Sequence, residues 1–384
     1  MHASGWLLIG LPALAGVYAY VVYPAILWLI PRARSANTVA LPPEWPLVSI
    51  VIPAYNEEAQ ISGAIEALLA QDYPADRRQI LILSDASTDR TDDIVRSYAD
   101  RGVELLRMDV RGGKTKAENA SCALLLGEIV VNSDASIRLL PDAVRHLVTA
   151  MLNPTVGVAS GRDVSVATVA AVNATEAGYV GYEMWVRALE TRCGGIVGAS
   201  GSGYAIRKAL HEIPIRDDLS RDFSAALTAR AHGYSAVSVD GALCQVPRTS
   251  SLRREYRRKV RTISRGMATL RSQRNLLNVA HHGLFSWKLI SHKLCRWLVP
   301  LSVVPSLAAI VILAPFHVWA RTILVAAVMI ALLAGMGFLW PAHRPLPRIL
   351  SIPAFGVAAN IAVIHAWWRS RSEQHEAVWE PTRR

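Results

Sequence analysis

The stretch VSIVIPAYNEE, Val48–Glu58, decides the fold. A short apolar run closed by Asn and two Glu reads as a buried strand, Val48–Tyr55. The following segment, Glu57–Ala70, carries Ile61, Ile65, Leu68 and Leu69 at helical spacing, one face of an amphipathic helix. Working outward, ILILSD (Ile80–Asp85) predicts a second strand and Thr91–Ala99 a second helix. VELLRM (Val103–Met108) and EIVVNSDAS (Glu128–Ser136) predict further strands, with Lys114–Leu126 helical between them. Strands alternating with helices predict an α/β fold of parallel β-α-β units. Ligands bind beyond the carboxyl ends of such strands. There stand Asn56 and Glu57, Asp85 and Asp134, an arrangement that points to a nucleotide site.

Two nucleotide fingerprints are missing. No G-x-G-x-x-G follows the first strand, and no G-x-x-x-x-G-K-[ST] occurs in the chain. The first strand–helix junction is PAYNEE, whose carboxylates suit a helix N-terminus but repel a phosphate placed there. Dinucleotide enzymes and P-loop ATPases are therefore disfavoured.

Composition places this domain at a membrane. Of 384 residues, 52% are hydrophobic and only 18% charged, and Lys plus Arg exceed Asp plus Glu by 41 to 30. Four scattered cysteines, Cys122, Cys193, Cys244 and Cys295, indicate neither a disulfide framework nor a zinc site. Met1–Pro31 holds no Lys, Arg, Asp or Glu, and Arg32 and Arg34 follow directly. A signal peptide would need a basic start and a small-residue cleavage site, so residues 6–30 read as a transmembrane anchor with kinks at Pro12 and Pro24. Trp297–Ala320, Thr322–Ala342 and Ile349–Trp368 are each uncharged and long enough to cross, with tryptophans at their ends. The expected organisation is an anchor over 1–31, a cytoplasmic domain over 46–246, basic interfacial helices over 250–296, transmembrane helices over 297–368 and a tail over 369–384. Arg32, Arg34, Arg344 and Arg348 put the catalytic domain and the last loop on the cytoplasmic side. Four crossings then leave the tail and its four arginines on the far side, unless one late segment is re-entrant.

Six motifs in order, VSIVIPAYNEE, SDASTDRT, GGKTKAEN, NSDAS, RDF and RRKVR, resemble the catalytic domain of the family 2 glycosyltransferases. The resemblance runs from Val48 to Arg261, and SHKLCRWLVP (Ser291–Pro300) resembles the family's membrane-embedded members. It implies a GT-A, Rossmann-like domain and an inverting transfer from a UDP- or GDP-sugar to a lipid-linked or growing glycan acceptor, in cell-envelope or exopolysaccharide synthesis at the inner membrane. By this resemblance Tyr55 and Glu57 frame the base and ribose, and Asp85 holds one of them. As a bare residue Asp85 reads equally as a helix cap. Lys114 neutralises the diphosphate, or is a solvated surface lysine. Asp134 resembles the first carboxylate of the D-x-D motif, which holds a divalent cation, Mg²⁺ or Mn²⁺, on the diphosphate. Ser136 stands where the second acid belongs, which removes a charge from the metal site. Asp222 resembles the base that takes a proton from the acceptor hydroxyl. Arg221 replaces the acid before it; a capping Asp is the plain alternative. Gly201 and Gly203 resemble the loop flooring the acceptor pocket, and Glu183 and Trp185, on a helix from Val172 to Arg192, line the cleft or pack a helix face.

Arg253–Arg274 holds nine Lys or Arg and one acid, Glu255. Leu252, Tyr256, Val260, Ile263, Met267 and Leu270 form one helical face, and Arg254, Arg258, Arg261 and Arg265 another. This predicts a basic amphipathic helix on anionic membrane lipids rather than on nucleic acid. The resemblance gives Arg258 and Arg261 a second role, closing over the diphosphate. Thr262 stands where processive synthases carry a tryptophan, which favours single transfers. Two rivals remain: a processive synthase with a channel, assembled by a homo-oligomer if need be, and an inactive membrane scaffold suggested by Ser136 and Arg221.

Overall fold

The computed structural model describes residues 3–32, 42–166, 173–247, 252–341, 344 and 346–370. Arg34, Val172 and the tail from 371 onward lie outside the described residues. β1 (Val48–Ala54) is buried along its whole length. It pairs in parallel with β2 (Arg78–Ser84) on one side and β4 (Ile129–Ser133) on the other, and β3 (Val103–Arg107) extends the parallel set beyond β2. Strands buried on both faces need continuous apolar sequence, which is why VSIVIPA and ILILS lack alternation. The helix Ile61–Leu69 buries Ile61, Ala64, Ile65 and Leu68 against the sheet.

Beyond β4 the sheet departs from the all-parallel expectation. The order is β3-β2-β1-β4-β7-β6-β8-β5, with β5 (Arg138–Leu139), β6 (Val156–Val166), β7 (Gly203–Arg207) and β8 (Ser235–Pro247). β7 runs antiparallel to both β4 and β6, while β6 and β8 are parallel with register shifts that mark bulges. The sheet is therefore mixed. Its second half, β7, β6, β8 and β5, extends the sheet sideways beyond β4.

Four helices are long and apolar enough to cross a membrane: Ile9–Leu29, Leu284–Leu313, Val318–Leu339 and Arg348–Arg369. The first is interrupted by a π-helical stretch, Tyr18–Val22, just before Pro24, whose missing N–H removes a backbone bond at that turn. The second begins at Leu284 rather than near Trp297, and has its own π-helical stretch at Ile290–Cys295. The first helix is keyed to the domain by polar contacts. Tyr23 donates to Glu190 at 2.5 Å, and Tyr182 donates to the Tyr20 carbonyl at 2.9 Å.

Candidate active site

The carboxyl ends of β1 and β2 are fastened to each other by side chains. Asn56 and Ala86, one just after each strand, both have positive φ (51° and 57°), strained backbone of the kind concentrated at functional sites. The Asn56 carboxamide accepts from Thr88 N, Ser87 Oγ accepts from Asn56 N, and Thr91 Oγ1 accepts from Glu57 N at 2.8 Å. Asp85 is buried, and its two oxygens accept from Gly112 N (2.7 Å) and Gly113 N (2.8 Å). Here Asp85 ties down the glycine loop; Asp89 and not Asp85 caps the helix Thr91–Arg96, accepting from Thr91 N at 3.0 Å. The Arg111 guanidinium lies 3.7 Å over the Tyr55 ring and covers one face of it.

The loop delivers Lys114 to the start of the helix Lys114–Ser121. Lys114 Nζ donates to Asp134 Oδ1 at 2.6 Å and lies 3.9 Å from Glu118. Burial works against its charge, but Asp134 and Glu118 outweigh burial, so its pKa is raised and it stays an ammonium. The surface-lysine alternative is thereby set aside.

A polar cavity of about 300 Å³ brings most of the expected residues together: Glu57, Lys114, Asp134, Ser136, Gly201, Asp222, Arg258 and Arg261 line it, with Thr115, Asp163, Arg187 and Arg265. Tyr55, Asp85 and Gly203 are not among its lining residues. Gly203 is buried in β7, where a Cβ would meet Cys244 Sγ at 2.6 Å, so packing between strands explains this glycine. Gly201 touches the base: a Cβ there would stand 2.9 Å from Asp222 Oδ2. Asp222 Oδ1 accepts from Ser220 Oγ and, at 2.9 Å, from Phe223 N in the first turn of the helix Arg221–Ala231.

Arg221 points away from Asp222. Its guanidinium is buried against Glu118 (3.2 Å), Asn119 and the His211 carbonyl. The replaced acid therefore has a counterpart: Glu118 supplies the carboxylate and Arg221 the cation. Burial raises the Glu118 pKa, with Lys114 and Arg221 opposing.

The basic helix Leu252–Ser272 leaves Arg253, Arg254 and Arg257 exposed and turns part of its cationic stripe to the site. Arg258, Arg261 and Arg265 line the polar cavity, because the opposite flank packs on the last membrane helix. Tyr256 Oη lies 3.0 Å from His365 Nδ1, and Arg271 donates to the Ser370 carbonyl. Arg258 bonds Glu255 at 2.8 Å, and Arg265 holds the Asp217 and Leu219 carbonyls ahead of the base.

A second, larger cavity of about 590 Å³ lies between the domain and the membrane helices. Arg187, Ala199, Ser220, Asp222, Arg258 and Thr262 line both cavities, so Asp222 stands in their shared wall. Glu183 lines the larger one; Trp185 lines neither and is exposed. Sequence reasoning missed Arg187, Lys293 and His292. The last two fall within SHKLCRWLVP, the stretch already singled out by resemblance, but no role was assigned to either.

The metal expectation meets a sparse donor set. Among the described residues no group of three His, Cys, Asp or Glu is placed to hold a metal. Asp134 and Ser136, side by side at the cavity wall, fit a hard cation that takes its remaining oxygens from a diphosphate.

The chain thus combines a mixed sheet, a polar cavity lined by most of the expected residues, and four helices long and apolar enough to cross a membrane. Residues 49–212 match the model of "Glycosyl transferase family 2". The "Probable glycosyltransferase YdaM" of Bacillus subtilis (strain 168) is 34% identical over 29% of this chain and 27% of its own length. The "Beta-monoglucosyldiacylglycerol synthase" of Nostoc sp. (strain PCC 7120) is 27% identical over 58% of this chain and 49% of its own. The chain thus spans half or less of the length of these relatives. Among solved structures, "Mannosyltransferase PcManGT from Pyrobaculum calidifontis in complex with GDP-Man and Mn2+" superposes with a TM-score of 0.72 at 20% identity. That superposition covers 96% of this chain and 98% of the other, and it shows that the two share the GT-A fold.

Proposed function

We propose that this protein is an inverting, multi-pass membrane glycosyltransferase. In this reading it moves one sugar from a UDP- or GDP-sugar to an acceptor presented by the bilayer, with its catalytic domain on the cytoplasmic face. The observation that carries the reading is the place of Asp222 in the wall shared by the polar cavity and the membrane-side cavity. The donor occupies the first and the acceptor enters from the second.

The chemistry is a single displacement. The acceptor oxygen forms its bond to the anomeric carbon, the bond from that carbon to the diphosphate oxygen breaks, and the acceptor proton passes to Asp222. The electron pair leaves on the nucleoside diphosphate, whose growing charge is met by Arg258 and Arg261. A divalent cation held by Asp134 and Ser136 would add Lewis-acid neutralisation of the diphosphate. Lys114 already sits on Asp134 and holds one positive charge at that spot without it. Thr262 lies in the shared wall with a small side chain, which supports release after one transfer.

The test is nucleotide release and product size with the detergent-purified full chain, an extracted lipid acceptor, and a panel of UDP- and GDP-sugars with Mg²⁺ or Mn²⁺. The expected result is release from one donor class and an acceptor extended by one sugar. A ladder of products would favour a polymerase, and no turnover of any donor would favour the scaffold.

A further inference from the structure

The helix Asn173–Arg192 presents a face to both cavities. It puts Tyr179, Glu183 and Arg187 in the wall of the larger one at four-residue steps, and Arg187 reaches the polar cavity as well. Where Arg187 stands in the shared wall therefore depends on how this helix is turned and how far it has slid.

The second membrane helix grips it with three basic side chains. Lys288, His292 and Arg296, four residues apart, all bond the helix Asn173–Arg192 or the turn that follows it. Lys288 Nζ donates to the Cys193 carbonyl at 3.1 Å and to that of Gly195. The His292 ring lies between two glutamates, with Nδ1 2.6 Å from Glu190 Oε1 and Nε2 3.0 Å from Glu183 Oε2. Arg296 donates to the other Glu183 oxygen and, at 3.3 Å, to Tyr182 Oη. From the first membrane helix, Tyr23 joins the set at Glu190. In an α-helix a step of four residues overshoots the turn of about 3.6, so three such positions wind away from one line. The π-helical stretch Ile290–Cys295 lies between them, and its wider turn counters that drift.

His292 is the centre of this grip. Burial raises the pKa of a carboxylate, but His292, ahead of the other charges, outweighs it here: Glu183 is held well below the ordinary range and Glu190 at about 2. Ionised carboxylates only accept, so a ring protonated at both nitrogens fills both contacts at once. Buried ion pairs of this kind add little net stability over apolar packing, and their best-attested use is to fix a register.

We propose that His292 is a positioning residue for the transfer: by bridging Glu183 and Glu190 it sets the register of the helix Asn173–Arg192 and so holds Arg187 in the wall shared by the two cavities. The proposal rests on the reading above, in which donor and acceptor meet across that wall. His292 stands behind the larger cavity and is only 2% exposed, so it acts through the helix and not on a substrate.

The test uses the detergent-purified full chain and two readouts. Backbone hydrogen exchange over 183–190 reports the grip directly. Sugar transfer to a total lipid extract, counted per UDP- or GDP-binding site, reports its consequence. A Gln amide reaches the place of Nε2 but not that of Nδ1, so His292→Gln keeps one contact and abandons Glu190. Exchange over 183–190 should speed up about tenfold in this variant. Its kcat per site should fall about tenfold, with the donor KM within about twofold of wild type. Adding Glu190→Gln removes the abandoned charge and leaves an amide oxygen for Tyr23, so the double variant should recover most of both losses. A merely structural role predicts the reverse, since independent damage from two substitutions adds. Glu183→Gln weakens the same bridge with no change of size and serves if His292→Gln does not fold; it should move both readouts the same way by a smaller factor. Unchanged exchange or unchanged kcat per site in the single variants, or additive losses in the double variant, would overturn the proposal. Wild type that turns over no donor would sink the transferase reading, while hydrogen exchange would still decide whether His292 holds the helix.

Discussion

Asp222 owes its position to two small neighbours. Ser220 hydrogen-bonds one carboxylate oxygen, and Gly201 leaves room for the other. Gly201→Ala puts a methyl group 2.9 Å from Oδ2 and pushes the carboxylate off its line to the acceptor. Misplacement of a reacting group by about 1 Å costs up to roughly 100-fold in rate, so kcat should fall about 10- to 100-fold while donor affinity stays near that of wild type. Steady-state kinetics on the variant check this split. At this scale the sequence singled out Lys114, Asp134, Asp222 and Arg258, and the fold gathers all four at one cavity. It was silent on partners. Nothing near Asp85 in the chain says that both its oxygens go to the Gly112–Gly113 backbone. Nor does anything around Arg221 announce Glu118, because the pair forms only when two helices distant in sequence pack together.

At the scale of elements, that pair is the join between the helix Lys114–Ser121 and the helix Arg221–Ala231. Both side chains are almost fully buried, and removing Arg221 leaves Glu118 with only the more distant Lys114 to offset its charge, at a cost toward the lower end of about 3–5 kcal/mol. Arg221→Met should destabilise the protein by that order. Adding Glu118→Gln to it should restore much of the loss, read as melting temperatures in a double-mutant cycle. The adjoining short helix Lys208–His211 contributes a pH dependence. Burial, and after it Arg221, pushes the His211 pKa from the ordinary 6.5 down to about 3. The folded state refuses a proton that the unfolded chain accepts, so stability is full above pH 6.5 and declines as pH falls through the window from 6.5 to about 3. The His211 share of that decline is about 2 kcal/mol at pH 5, and His211→Asn should flatten the melting profile over this range. The parallel strands were legible because burial on both faces demands unbroken apolar runs. β6 and β8 were not: β6 runs from a buried half to a part-exposed one, β8 is only part-buried over much of its length, and register shifts interrupt their pairing.

Over the whole molecule, the proposed function puts the donor in the polar cavity and the acceptor in the membrane-side cavity, with Asp222 in the wall that both share. The apolar spans were legible from composition alone, because an uncharged stretch of that length has few soluble alternatives. The cavity between spans and domain was not. It depends on how the helix Leu252–Ser272 packs on the last span and so turns Arg258, Arg261 and Arg265 inward. The central claim is that Asp222 acts as base across the wall between the two cavities. Its most direct test is sugar transfer to lipid by Asp222→Asn in vesicles, with nucleotide binding measured on the same preparation. A base of this kind contributes about 10²- to 10⁴-fold, so transfer should fall by that factor while nucleotide affinity stays within about twofold. Transfer by Asp222→Asn within a few-fold of wild type would contradict the account.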